Sequence, residues 1–172
     1  LGALRISLAT DDLFVRFVAG GDFTAESGTN TVAATHVEKI KGGGGDDTYL
    51  VGDGWGSRAV DDASTADDDT LDLSAATGDL VLAIHQDGTI VVTDATNTLT
   101  TSAGIANLIG GRGADVFQFA NGASIAGTID GGPGGGDQLD YSAYATAVTV
   151  DLSSGSATGR SVIATGRWAA TV

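Results

Sequence analysis

The chain copies itself at a fixed step. Gly42 to Gly110 is 68 residues, and sliding the sequence by that step needs no gap over a long stretch. Gly42, Gly43, Gly45 and Asp47 fall on Gly110, Gly111, Gly113 and Asp115. Tyr49 falls on Phe117 and Val51 on Phe119. Asp62 meets Asp130, Asp69 meets Asp137, and LDLSA (71–75) meets LDYSA (139–143). An upstream echo pairs Leu13–Val32 with Leu80–Leu99 at a step of 67. An ungapped internal match of this length marks a duplication, so each unit must bury its apolar face against its neighbours. The chain therefore divides into a partial unit (1–36), a unit at 37–104, and a second unit with a divergent tail at 105–172.

Within each unit the local signal is strand. ALRISLA, LFVRFVA, DTYLV, TLDLS, DLVLAI, TIVVTD, DVFQF, QLDYSAY and AVTVDLS are short and mostly alternate apolar with polar residues. Gly, Asp, Asn, Ser and Thr separate them. No stretch holds a helical period for three turns, and the one proline, Pro133, sits in the loop DGGPGGGD. The expected class is all-β. Two architectures compete: a parallel β-solenoid or β-roll-like stack of repeats, and an antiparallel β-sandwich. The repetition and the Gly-Asp corners favour the solenoid.

Charge narrows the partners. Acidic residues number 22 against 8 basic ones, for a net charge of -14. Glu26 and Glu38 are the only glutamates. Asp disfavours helix interiors and favours turns, which places the acid where the chain bends. Such a chain repels nucleic acid and anionic membrane and attracts cations. Cysteine is absent, which removes disulfides and thiolate metal sites. No apolar run reaches membrane-spanning length, and no basic stretch precedes an apolar h-region. Methionine is absent as well, so the chain reads as processed or as a piece of something larger.

The most specific motif is G-G-x-G-x-D-x-Tyr-x at Gly42–Leu50, repeated with Phe at Gly110–Gln118. It resembles the nonapeptide of the hemolysin-type calcium-binding (RTX) repeat family, with every fixed position matched in both copies. The resemblance covers roughly residues 37 to 155. It implies a parallel β-roll in which Ca2+ sits between turns, held by loop carbonyls and by the Asp carboxylate. Asp47 and Asp115 would then be carboxylate ligands, and the carbonyls of Gly43, Gly45, Gly111 and Gly113 would assist. Calcium prefers six to eight oxygen ligands at flexible distances, and a Gly-rich loop can aim its carbonyls inward. Family repeats run in tandem, whereas each nonapeptide here stands alone. The partner turn is expected about one coil downstream, at Asp61–Asp69 for the first copy and Asp130–Asp137 for the second. Asp62, Asp69, Asp130 and Asp137 complete the candidate ligand set.

The plainer readings remain beside these. The Gly-rich loops are also expected as tight corners that hold no ion, and Asp67–Asp68–Asp69 as a solvated acidic loop. Tyr49, Phe117 and Phe119 read as core, and Trp55 as core or edge packing. No G-x-S-x-G elbow, H-E-x-x-H or phosphate-binding loop is present, and the acids recur in loops although an active site is needed once. The expectation is no enzyme. It is an extracellular or cell-surface structural segment of an adhesin, surface layer or filament, stacking with further repeats or copies of itself and contacting surface polysaccharide. The competing expectation is an accessory calcium-binding module of a secreted enzyme.

Overall fold

Alternation of apolar and polar residues writes nearly every strand of the protein, as the burial along them shows. Thr48–Gly52 and Val81–Ile84 bury every second side chain, and so does Asp69–Ala75 over most of its length. A strand sends successive side chains to opposite faces, so each of these segments has one core face. The computed structural model describes residues 3–5, 11–20, 22–62, 64, 66–151, 156–157, 160–161 and 168–171. Most of the tail at 160–172 and the far end of the strand expected at 147–153 lie outside these. Among the described residues there is no helix.

The strands come in a repeated series. After β1 (Ala3–Arg5), the first series is β2 (Phe14–Val18), β3 (Asp22–Ser27), β4 (Asn30–Ala34), β5 (Lys39–Lys41), β6 (Thr48–Gly52), β7 (Ser57–Asp61) and β8 (Asp69–Ala75). The second is β9 (Val81–Ile84), β10 (Ile90–Thr93), β11 (Thr98–Thr101), β12 (Ile105–Ile109), β13 (Val116–Phe119), β14 (Ile129–Asp130) and β15 (Asp137–Asp140). β16 (Val150–Asp151), β17 (Ser156–Ala157), β18 (Arg160–Ser161) and β19 (Trp168–Thr171) follow.

These strands form two large mixed sheets. Sheet I has the order β1-β5-β7-β11-β10-β9-β13-β15-β19, and sheet II the order β14-β12-β8-β6-β2-β3-β4. Neither closes into a barrel. β16, β17 and β18 make a small separate antiparallel sheet. Each series opens with an antiparallel three-strand meander, β2–β3–β4 or β9–β10–β11, and every other pairing in the large sheets is parallel.

From β4 to β9 the chain changes sheets five times: β4 to β5, β5 to β6, β6 to β7, β7 to β8 and β8 to β9. Five is odd, so the second series is drawn with the sheets exchanged. The first meander lies in sheet II and the second in sheet I. Each series adds five strands to one sheet and two to the other, and two series together add seven to each.

One contiguous core draws on both sheets. Val15, Tyr49, Leu71 and Leu108 come from sheet II, and Ile40, Leu82, Leu99, Phe117 and Leu139 from sheet I. Trp55 is buried among them. Phe119 stacks on Tyr141 at 4.4 Å between ring centroids, and Tyr144 meets Tyr141 edge-on.

Candidate metal centre in the stacked aspartate loops

The repeated aspartates first serve the backbone. Asp47 Oδ1 accepts the Leu13 N–H at 2.8 Å and its Oδ2 accepts the Gly43 N–H at 3.3 Å. Asp69 Oδ1 accepts the Asp47 N–H at 2.8 Å. The second series repeats this set. Asp115 Oδ1 accepts from Leu80 N, Asp115 Oδ2 from Gly111 N, and Asp137 Oδ1 from Asp115 N. Each carboxylate ties its own segment to one 22 or more residues away, where strand ladders end and N–H groups would otherwise go unpaired. The expected Gly45 contact is likewise an N–H, which donates to Asp67 Oδ2 at 3.1 Å.

Burial turns part of this ladder into something more. Asp47, Asp62 and Asp69 are all buried, and one carboxylate oxygen from each lies within 4.8 Å of the other two. Strand β6 brings Tyr49 into the cluster from below. Its hydroxyl donates to Asp62 Oδ2 at 2.5 Å and approaches Asp47 Oδ2 at 3.4 Å. Asp69 Oδ2 is buried with no hydrogen-bond partner, as is Asp67 Oδ1 beside it. Gly42 closes the floor, because a Cβ there would sit 2.1 Å from Asp62 Oδ2 and from the Tyr49 hydroxyl. Gly45, at φ +97°, turns the loop in the left-handed region that favours glycine.

Three carboxylates and one phenol proton make an unbalanced group. Burial pushes Asp69 up to about 7, with the negative charges of Asp62, Asp67 and Asp47 acting in the same direction. Burial raises Asp47 to about 6 against the lowering effect of the Gly43 and Leu13 N–H groups. Burial, then the hydrogen bond to Asp62, raises the Tyr49 phenol. Such a cluster must either keep protons or take a cation. The donor set is all oxygen, with one buried oxygen unused. That fits a hard cation and not a soft one.

The second series is not a full copy of this site. Asp115 and Asp137 are fully buried, Asp137 Oδ2 has no partner, and burial raises Asp115 to about 6. Among the described residues no third carboxylate joins them in a cluster like that of the first series. The Ala59 N–H bonds to Glu38 as the Gly127 N–H does to Ala106, a step of 68. Two residues on, Gly42 bonds to the Asp61 carbonyl but Gly110 to that of Asp130, a step of 69. One extra residue at Gly127–Thr128 has slipped the register. Asp130 therefore takes the strand position of Asp61, and Gly131 that of Asp62, unlike the ungapped alignment. The Asp130 carboxylate accepts the Gly132 N–H at 3.0 Å. Phe117 also lacks the hydroxyl that Tyr49 supplies. Gly113 packs its backbone against Asp79, whose Oδ1 accepts the Ala114 N–H at 2.8 Å.

Asp61 and Asp62, adjacent in sequence, separate in space. Asp61 pairs with Lys39 and Lys41 at 2.8 and 2.6 Å, which hold its carboxyl below the usual range. Asp12 and Asp79 are ladder members that sequence reasoning missed. Asp12 Oδ1 accepts from Asp46 N as Asp79 Oδ1 does from Ala114 N. The 67-residue echo, extended one residue upstream of Leu13 and Leu80, superposes them and was the signal that could have found them. No family of known proteins, curated protein or solved structure matches this chain.

Proposed function

We propose that the chain is a β-solenoid of repeated coils serving as a calcium-stabilised structural segment of an extracellular adhesin, surface-layer or filament protein. The observation that carries this reading is the buried Asp47–Asp62–Asp69 cluster with its unused Asp69 oxygen. Asp47, Asp62 and Asp69 would hold the ion, and Asp67 stands next to them. Calcium bound there neutralises charge that the folded chain otherwise concentrates. It would thereby stabilise the native state by mass action, by about 2.7 kcal/mol when free ion is a hundredfold above Kd. A net charge of -14 makes that neutralisation matter for the whole chain as well. The surroundings of a secreted protein are rich in calcium, which suits a site that is stabilised when filled. The acids recur as loop ties rather than converging on a cleft, which supports a structural role rather than catalysis.

The test is a melting curve by circular dichroism in EGTA, at millimolar calcium and at millimolar magnesium. A melting temperature that rises with calcium alone supports the reading. No change with either ion sinks it and leaves the aspartates as backbone ties only.

A further inference from the structure

Two equivalent rungs cross the two meanders. Val15, Ala25 and Val32 stand opposite one another on β2, β3 and β4, on the core face of sheet II. Leu82, Val92 and Leu99 do the same on β9, β10 and β11, each 67 residues further on. Leu99 is 0% exposed, whereas Val32 is 42% exposed. The difference is what lies beyond the third strand. β11 has β7 on its outer side, in parallel register from Thr98↔Ser57 to Thr101↔Val60. β4 is the terminal strand of sheet II. The turn before each third strand reads Thr-Asn-Thr, at 29–31 and 96–98. Asn97 Oδ1 accepts the Gly56 N–H at 2.8 Å, and the Gly56 carbonyl accepts the Thr98 N–H at 2.9 Å. Asn30, its counterpart, lines an open cleft with Asp11, Asp12 and Ser27.

We propose that the outer edge of β4 binds a second copy of this chain, which adds its segment 124–130 as a parallel strand in the way β7 joins β11. This rests on the repeat-stacking reading above and names its contact. The occupant follows from the fold. β14 is the counterpart of β7 and ends sheet II on the side opposite β4. β14, β12, β8, β6 and β2 are all parallel, and two antiparallel steps return β4 to the same sense. The same reasoning makes β1 and β19, the ends of sheet I, run alike. Copies stacked head to tail therefore meet in matching sense in both sheets. Edge strands of soluble proteins commonly carry charge or proline to block such pairing. NTVAA (30–34) carries neither, and segment 124–130 carries no proline and a single charge, Asp130, at its far end. The contact joins two different edges, so it does not close, and it builds an open series.

The test is sedimentation velocity with light scattering across a concentration series, in EGTA and in calcium. The expected result is mass that climbs without a fixed end point. Ala33→Pro removes an N–H equivalent to that of Thr100 on the β7 side of β11, and Val32→Lys charges the exposed rung. Each should weaken association roughly tenfold or more with the strand signal unchanged. The chain has no cysteine, so Asn30→Cys mixed with Ser124→Cys should give an intermolecular disulfide that neither forms alone. A monomer at every concentration, a closed dimer, or association indifferent to both edge variants would overturn the proposal. Calcium-dependent melting of monomeric Ala33→Pro reads the ion site separately, so either idea can fail without the other.

Discussion

Asp69→Asn should make the metal-free protein more stable and the calcium-loaded protein less so. Asp69 is fully buried, its Oδ1 accepts the Asp47 N–H at 2.8 Å, and its Oδ2 meets no donor. An asparagine keeps the first contact and the shape. It replaces the unused oxygen with an NH2 group facing the Asp47 and Asp62 carboxylates. One neutral-to-charged hydrogen bond and the loss of like-charge repulsion are together worth about 1–2 kcal/mol. For a chain of this size each kcal/mol moves Tm by about 2–4 °C, so the variant should melt roughly 2–8 °C higher in EGTA at neutral pH. Asp69→Ala is the control. It strands the buried Asp47 N–H and should cost about 1–3 kcal/mol. In calcium the order reverses, because a carboxamide carries no charge for the ion. The reversal needs a loss of affinity of about a hundredfold, which removes roughly 2–3 kcal/mol of ligand stabilisation and so exceeds the metal-free gain. Scanning calorimetry on the three proteins with and without calcium reads all of this. Asp69→Asn melting below wild type in EGTA would refute the reasoning about the buried carboxylate. An equal calcium shift in both would place the ion elsewhere.

Without calcium, stability should fall as pH rises from about 4.5 to 7.5. Asp47, Asp69 and Asp115 are held above the usual carboxylate range, so the folded state keeps protons that the unfolded chain has released. That stabilisation is full below the unfolded value near 3.8 and is lost through pH 6–7. After allowance for solvent screening it amounts to about 1–3 kcal/mol, measurable by urea titration in EGTA, and the slope should flatten or invert in calcium. Gly42→Ala should cost about 1–3 kcal/mol by forcing Asp62 and Tyr49 off the loop, whereas Gly78→Ala, with nothing within 4 Å, should lie within about 0.5 kcal/mol of wild type in the same titration. Leu99→Ala should cost about 2–5 kcal/mol and Val32→Ala under about 0.5 kcal/mol, since one rung is covered and the other is not.

The strands with strong alternation were legible in the sequence. DTYLV, TLDLS, DLVLAI, TIVVTD and DVFQF each fall on a strand. β3, β4, β5, β7, β11, β12 and β14 were not read, nor were β17, β18 and β19. Ile105–Ile109 lies in an alanine-rich stretch with weak strand preference, and pairing with β8 and β14 makes it a strand. Asp47 and Asp115 lie in loops as expected, but Asp61, Asp69, Asp130 and Asp137 lie in strands, and the depth of the buried ones was not visible. Composition puts an acidic residue at the surface by default, and only segments distant in sequence cover Asp47, Asp69, Asp115 and Asp137. Tyr49 read as core, and it is buried; its hydroxyl bond to Asp62 lies outside any local pattern.

The period, the all-β class and the Gly-Asp corners were determined by the sequence alone, because turn chemistry and two-residue alternation act over a few residues. The tertiary structure decided which sheet each strand joins, since that depends on how many times the chain crosses between sheets in one series. It also decided that Asp47, Asp62 and Asp69 meet while the second series offers only Asp115 and Asp137. A single extra residue at Gly127–Thr128 slips one strand against its neighbour, and carboxylates up to 22 residues apart come together only when neighbouring strands keep their register.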